Sequence, residues 1–182
     1  CEGNNTMGRG FLMETSPVEN AFVCSTFNHC YFIDNDLEGT RIDGGQVAFY
    51  ESAWENNCHN SGLSATTDAA LRLRSMVSCA IIGCDFEAFT DNTNQPAAKR
   101  AIVAENCVGL TLLSSYFANA VENSGDSTQR CIYLDYGGGG PHHALIGPCR
   151  VANTTVFIEI TGTDSKVDVY EPFTQAGTTP AL

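Results

Sequence analysis

The sequence repeats one short pattern with a period of about 30 residues, within the range typical of repeat proteins, and this period limits the possible folds more than any other feature. Cuts at Phe11, Arg41, Leu71, Ala101 and Cys131 give five segments. Each segment opens with a short apolar run and carries a second apolar run about ten residues later. Because one such unit cannot cover its own apolar face, neighbouring units must stack on one another. The period therefore predicts a repeat architecture.

The second apolar run is the more regular part of the repeat. Two large apolar residues open it, a small residue takes the fourth place and an aromatic residue the sixth. Its copies are residues 22–27, 49–54, 81–86, 112–117 and 145–150, and the last of them lacks the aromatic. Short apolar runs bounded by turn residues are typical of buried strands. We expect the closing aromatics to form a stacked ladder of Phe27, Trp54, Phe86 and Phe117.

The composition favours an all-β protein, since only 16% of the residues are charged and 17 are glycine. Equivalent strands one period apart would pair in parallel, about 4.8 Å from each other. The predicted fold is a right-handed parallel β-helix, a single-stranded solenoid of five to six coils of about 25–30 residues. It would span residues 11–173, between a lead-in segment 1–10 and an exit linker 174–182. Within it, the apolar runs near 156–160 and 167–170 form the terminal coil or the first step into another domain.

The net charge of −12 argues against nucleic acid as a partner, because phosphate contacts need clustered cations and the chain has nine lysines and arginines. No apolar run approaches the roughly 20 residues that cross a bilayer, so membrane insertion is not expected. No motif for a cofactor is present, and none is predicted.

Nine cysteines raise the question of disulfides. Cys24, Cys84 and Cys149 stand at or beside positions that Ser and Thr fill in other repeats. A free thiol packs as a small apolar group, so this pattern predicts mostly reduced, buried cysteines. A disulfide between Cys24 and Cys30 remains an alternative.

One stretch carries a resemblance to a known family. Residues 105–117 read as an apolar strand end, Asn-Cys, and a second strand that closes with an aromatic. This pattern resembles the pectate-lyase-like right-handed β-helix, and the acidic, Gly- and Asn-rich chain is similar to phage tailspike and tail-fibre proteins. The resemblance implies a homotrimer in the virion tail, with other tail proteins as partners, that binds bacterial surface polysaccharides and in some members cleaves or deacetylates them.

The predicted function is a structural or receptor-binding segment of a phage tail fibre that recognises a cell-surface polysaccharide. A polysaccharide-degrading hydrolase or lyase of the same fold is the first alternative, and a secreted bacterial adhesin is the second. Polar connectors precede each cut, at residues 35–40, 60–70, 90–100 and 121–130. Because variable loops on one flank of a repeat protein often form its binding face, function is expected there.

Two carboxylates suit glycoside hydrolysis by their spacing. Glu105 and Asp135 are one period apart, so they would lie on adjacent repeats, and glycosidases need two carboxyl groups at one sugar bond. The alternative is that both solvate a turn. Asp91 and Asp126, in the connectors, form a weaker pair and are also candidates for binding, as is Tyr136, an aromatic platform for a sugar.

No metal site is predicted. Asp34, Asp36 and Glu38 form a tight acidic group, but they lack the glycine-spaced pattern of a Ca²⁺ loop. We expect them to form a solvated turn.

Overall fold

The computed structural model describes residues 2–4, 9–14, 24–35, 37–55, 57, 69–87, 100–118, 130–137, 142–152, 156–162, 165–170 and 173–174. Its strands are β1 Glu2–Asn4, β2 Phe11–Glu14, β3 Ser25–Asn28, β4 Tyr31–Ile33, β5 Thr40–Tyr50, β6 Ala53–Glu55, β7 Ala69–Ile82, β8 Asp85–Glu87, β9 Arg100–Glu105, β10 Gly109–Leu113, β11 Tyr116–Ala118, β12 Arg130–Tyr136, β13 His142–Ile146, β14 Arg150–Ala152, β15 Val156–Gly162, β16 Ser165–Val169 and β17 Phe173–Thr174.

The strands form two parallel sheets. The seven-stranded sheet has the order β1-β4-β6-β8-β11-β14-β17, and the ten-stranded sheet contains the path β15-β12-β9-β7-β10-β13-β16. The long strands β5 and β7, of 11 and 14 residues, each pair with two shorter strands on one side. The chain is therefore all-β with parallel pairing, as the sequence predicted.

The more specific prediction, a single-stranded right-handed β-helix of five to six regular coils, is wrong. The structure has two parallel sheets, and the seven-stranded sheet curls into half a barrel. The spacing of paired strands is also uneven: Tyr31 pairs with Ala53, whereas Tyr116 pairs with Arg150. A single period averages over these spacings, so it identified the stacking but not the shape of the sheets.

The cuts placed at the first apolar runs of the sequence fall within one residue of positions that pair between neighbouring strands. Thr40, Leu71, Ile102 and Ile132 follow one another in register across β5, β7, β9 and β12. All four side chains are fully buried. The apolar runs near 156–160 and 167–170 are strands as well, and they pair in parallel with β12 and β13.

The aromatic ladder exists, but its first member is Phe32 and not Phe27. Phe32, Trp54, Phe86 and Phe117 are paired in register, and neighbouring rings stack with centroids 5.3, 4.8 and 5.0 Å apart. Phe27 instead stacks on Phe49 at 4.9 Å. The first copy of the motif is therefore residues 27–32, and the fifth is 146–151, because the pairing brings Ile146 opposite Leu112.

This corrected register explains the small residue of the motif. The preceding turn residue has positive φ in four copies, between 47° and 64°, at His29, Glu51, Gly83 and Ser114. The small residue follows in the buried corner, where the Ser52 hydroxyl accepts a hydrogen bond from Cys30 N at 3.1 Å. The Ser115 hydroxyl accepts one from Cys84 N at 3.2 Å. The side chain here must be small to fit the tight corner. The hydroxyl groups of Ser52 and Ser115 also pair with buried backbone N–H groups.

The cysteines of the motif differ in burial and in bonding. Cys84 and Cys149 are buried free thiols, and burial raises the pKa of each to about 11. Cys24, in contrast, is an exposed free thiol, which corrects its expected burial. Cys30 is disulfide-bonded, and because Cys24 is free, a disulfide between these two is excluded.

Candidate functional site

The outward positions of the sheets form three surfaces, which we name the arginine face, the neutral face and the carboxylate face. The arginine face lies on β5, β7, β9 and β12, and its members are Arg41, Asp43, Arg72, Arg74, Glu105 and Asp135. Glu105 and Asp135 are paired in register on β9 and β12, so the structure brings this candidate catalytic pair together, as its spacing predicted.

The carboxylate of Glu105 is occupied by two arginines. Arg72 donates through Nη2 to both of its oxygens, at 3.0 and 3.1 Å, and Arg74 Nε lies 2.9 Å from Oε2. Asp135 Oδ1 accepts hydrogen bonds from Gly137 N at 3.1 Å and from the Thr161 hydroxyl at 3.3 Å. A catalytic carboxyl must present a free oxygen to the sugar bond. The contacts of Glu105 therefore favour a structural role for it.

The ion pairs continue along the arginine face. Arg41 donates to Asp43 at 2.9 Å, and this hydrogen bond raises the pKa of the guanidinium. Glu38, expected in a solvated turn, is 1% exposed and lies 2.7 Å from Arg9 and 3.7 Å from Arg72. Opposite charges at paired positions of neighbouring strands stabilise one alignment of the strands over others. At paired positions the opposite charges of Arg74 with Asp43 and with Glu105 favour the observed register. The like charges of Arg41 with Arg72 and of Glu105 with Asp135 do not.

The other predicted binding residues do not join this surface. Asp91 and Asp126 lie outside the described residues. Tyr136 is 2% exposed and stacks on His142 with ring centroids 4.7 Å apart, and burial raises the pKa of its phenol to about 12. A ring in this position cannot serve as an exposed platform for a sugar.

The neutral face lies on the exposed side of β3, β5, β7 and β10. Inward residues of these strands, such as Phe49 and Ile81, are fully buried, so their neighbours in sequence point outward. The outward positions are Cys24, Thr26, Asn28, Gln46, Ala48, Tyr50, Ser78, Ala80, Ile82, Gly109, Thr111 and Leu113. None of them is Asp, Glu, Lys, Arg or His.

Small side chains make the neutral face concave. A groove of about 260 Å³ lies over β3, β5 and β7, with Thr26, Ala48 and Ala80 in its floor. Tyr50, 37% exposed, follows Ala48 by two positions on the same side of β5. Cys24 Sγ lies 3.4 Å from Gln46 Oε1, which leaves the amide NH₂ of Gln46 available as a donor. The face thus combines an aromatic ring, hydroxyl groups and an oriented amide.

The carboxylate face lies on the outer side of the seven-stranded sheet. Trp54 and Phe86 point inward and are fully buried, so Glu55, Asp85 and Glu87 point outward. Glu55 and Glu87 are paired in register. Asp85 pairs with Tyr116, whose ring lies 5.2 Å beneath the Arg150 guanidinium carbon.

Asp85 has the most perturbed carboxyl group among the described residues. Burial, followed by the negative charges of Glu87 and Glu55, raises its pKa from 3.8 to about 6. Its Oδ1 is buried and has no hydrogen-bond partner within the described part of the chain. The sequence did not single out Asp85, because it sits inside an apolar motif; the alternation of Cys84, Asp85 and Phe86 was the signal that it points outward.

Metal-binding clusters and membrane-spanning helices are both absent from the described part of the chain. No three His, Cys, Asp or Glu side chains there are grouped to hold a metal ion. No helix in these residues has the length and hydropathy needed to cross a bilayer.

Comparison of the chain with protein-family models, with curated proteins and with solved structures finds no match.

Proposed function

We propose that this chain is a receptor-binding segment of a phage tail fibre and that it binds a cell-surface polysaccharide on the neutral face. The observation that carries the proposal is the absence of charged side chains from that face. Charged residues make up 16% of the chain, so about two would be expected among these twelve positions, and more on an average exposed surface. An uncharged ligand can cover such a face without the cost of desolvating ionised groups, and this favours ligand binding there.

The chemistry of the neutral face suits a sugar chain. A pyranose presents apolar C–H groups on its faces and hydroxyl groups around its edge. Tyr50 and Ile82 offer apolar surface to the C–H groups of the sugar. The Gln46 amide and the Ser78 hydroxyl offer hydrogen bonds to its hydroxyl groups. Paired positions recur at every strand, about 4.8 Å apart. A polysaccharide that crosses the strands would meet similar groups at each step.

The test is binding to envelope polysaccharides of candidate host bacteria, immobilised for biolayer interferometry. In the variant Ala80→Leu the added side chain fills the groove, and we expect affinity to fall by about tenfold or more, which corresponds to about 1.4 kcal/mol. Ala118→Leu is the matched control, since Ala118 is also a half-buried strand alanine but lies on the carboxylate face. Equal affinity of the two variants would exclude the neutral face, and no binding to any polysaccharide would refute the function.

A glycoside hydrolase is the second candidate, and the raised pKa of Asp85 favours it. A carboxyl group that is protonated near pH 6, next to ionised carboxylates, has the properties of a general acid. Asp85→Asn should then abolish release of new reducing ends from a bound polysaccharide and leave binding intact. Glu14→Gln, which alters an exposed carboxylate on the other sheet, away from the neutral face, is the control. Absence of reducing ends with the wild-type chain, on a polysaccharide that it binds, would exclude the hydrolase.

A further inference from the structure

The charges around the neutral face limit which polysaccharide it can accept. The chain carries a net charge of −12, so its long-range field repels anionic polymers. The neutral face itself holds no lysine or arginine that could pair with a sugar carboxylate. A carboxylate that loses water without gaining a partner costs several kcal/mol. An acidic glycan would therefore be disfavoured both on approach and in contact.

Four arginines of the described residues lie away from the neutral face, and Lys166, at its boundary, is paired with Asp168. Arg41, Arg72 and Arg74 all lie on the arginine face and each is paired with a carboxylate of the protein. Arg150 lies on the other sheet, over the ring of Tyr116. None of these cations belongs to the strands β3 and β10 or to the half of β5 and β7 that forms the neutral face.

The neutral face also has a defined end. On β13, the strand after β10, Leu145 follows Thr111 in the row that contains Ala48 and Ala80. His143, in the neighbouring row, lies 3.1 Å from Asp168, which also contacts Lys166 at 3.0 Å. A bulky side chain and a charged group thus follow the small, uncharged residues. Up to β13, the described part of the open stretch covers four strands, or about 14 Å at a strand spacing of about 4.8 Å.

From these observations we infer that the neutral face selects an uncharged glycan and that its binding surface ends at β13, at Leu145 and the His143–Asp168–Lys166 group. This inference rests on the proposed function, since it specifies the ligand of the same surface.

The first experiment separates this inference from the proposed function. The wild-type chain is assayed against a panel of purified bacterial O-antigens and capsular polysaccharides, half neutral and half rich in uronic acid or sialic acid. We expect binding to one or more neutral polymers, with an affinity that changes less than about twofold between 50 and 500 mM NaCl, because screening acts only on charges. Binding confined to acidic polymers would overturn the inference and retain the proposed function, whereas no binding at all would overturn the function itself.

The second experiment tests the boundary at β13. Oligosaccharides prepared from the bound polymer are titrated in order of size by calorimetry. Affinity should rise with fragment length and then level off, because Leu145 and the charged group end the contact at β13. In Leu145→Ala, which removes the bulky residue at the boundary, the plateau should move to a longer fragment. A wild-type affinity that never levels off, or an unchanged plateau in the variant, would overturn the assigned boundary.

Discussion

Replacing Asp85 by asparagine should stabilise the protein above about pH 6, and the effect should vanish in acid. In the folded chain the pKa of Asp85 is about 6, against 3.8 for an unperturbed aspartate. Between these values the folded state binds more protons than the unfolded state, so stability falls as pH rises through this window. Well below pH 3.8 the carboxyl is protonated in both states. Above about pH 6 the folded state holds a desolvated carboxylate, and asparagine removes that charge.

The magnitude follows from the difference in pKa. The step from 3.8 to about 6 corresponds to at most about 3 kcal/mol, at about 1.4 kcal/mol for each tenfold change in proton affinity. Asp85 is only partly buried, and solvent screens its charge, so we expect about 1 kcal/mol. Asparagine keeps the size of the side chain, which means that packing contributes little to the difference.

The assay is urea unfolding of the wild type and of Asp85→Asn at pH 4, 5, 6, 7 and 8, with the free energy of unfolding extrapolated to water. The difference should grow from near zero at pH 4 to about 1 kcal/mol at pH 7. Asp168→Asn serves as the control of opposite sign, because hydrogen bonds from Lys166 and His143 lower the pKa of Asp168. A constant difference at every pH, or a variant that is less stable than the wild type at pH 7, would refute the reasoning.

Three further predictions concern packing, the arginine face and the thiols. Phe86→Ala removes a fully buried ring from the aromatic ladder and should cost about 4 kcal/mol in urea unfolding; Phe86→Leu, which keeps most of the volume, should cost about half as much. Glu105→Gln leaves Arg72 and Arg74 with a neutral partner and should lower the unfolding free energy by about 2 kcal/mol without changing glycan affinity, and a loss of glycan binding in this variant would return Glu105 to the site. In the native protein Cys24 should react rapidly with Ellman's reagent at pH 8, and Cys24→Ser should remove one rapid equivalent, whereas Cys84→Ser should remove none because burial raises the pKa of Cys84 to about 11.

The inward rows of the fold were predictable because burial imposes one kind of residue on every repeat. Leu71 and Ile102 occupy the same place in neighbouring layers and are both fully buried, so the sequence repeats there. The same rule failed at the first copy of the second run, where residues 22–27 fit the motif better than 27–32, because Asn28 takes an apolar place in the latter. Only the pairing of Phe32 with Trp54 identifies 27–32 as the copy, and the spacing of that pair departs from the period of the other repeats.

The candidate sites were less predictable, since outward positions obey no such rule. The spacing correctly predicted that Glu105 lies beside Asp135. The arginines that form ion pairs with Glu105 come from β7, however, and no pattern in the sequence relates these arginines to Glu105. Glu38 illustrates the same point: an acidic residue in a polar connector was expected in solvent, yet ion pairs allow its burial. Contacts between distant segments decide these cases.

The end of the neutral face coincides with a change in the backbone as well as in the side chains. The turn residue of the motif has positive φ up to Ser114, but the residue aligned with Ser114 in the next layer is Pro148, whose ring confines φ to negative values. In that layer Val151 replaces the aromatic of the ladder. Core, turn and outer surface therefore change together between β10 and β13. Leu145→Ala shortens one side chain and leaves the other changes of that layer, at Pro148 and Val151, in place. It should therefore lengthen the open stretch by only about one strand spacing, about 4.8 Å.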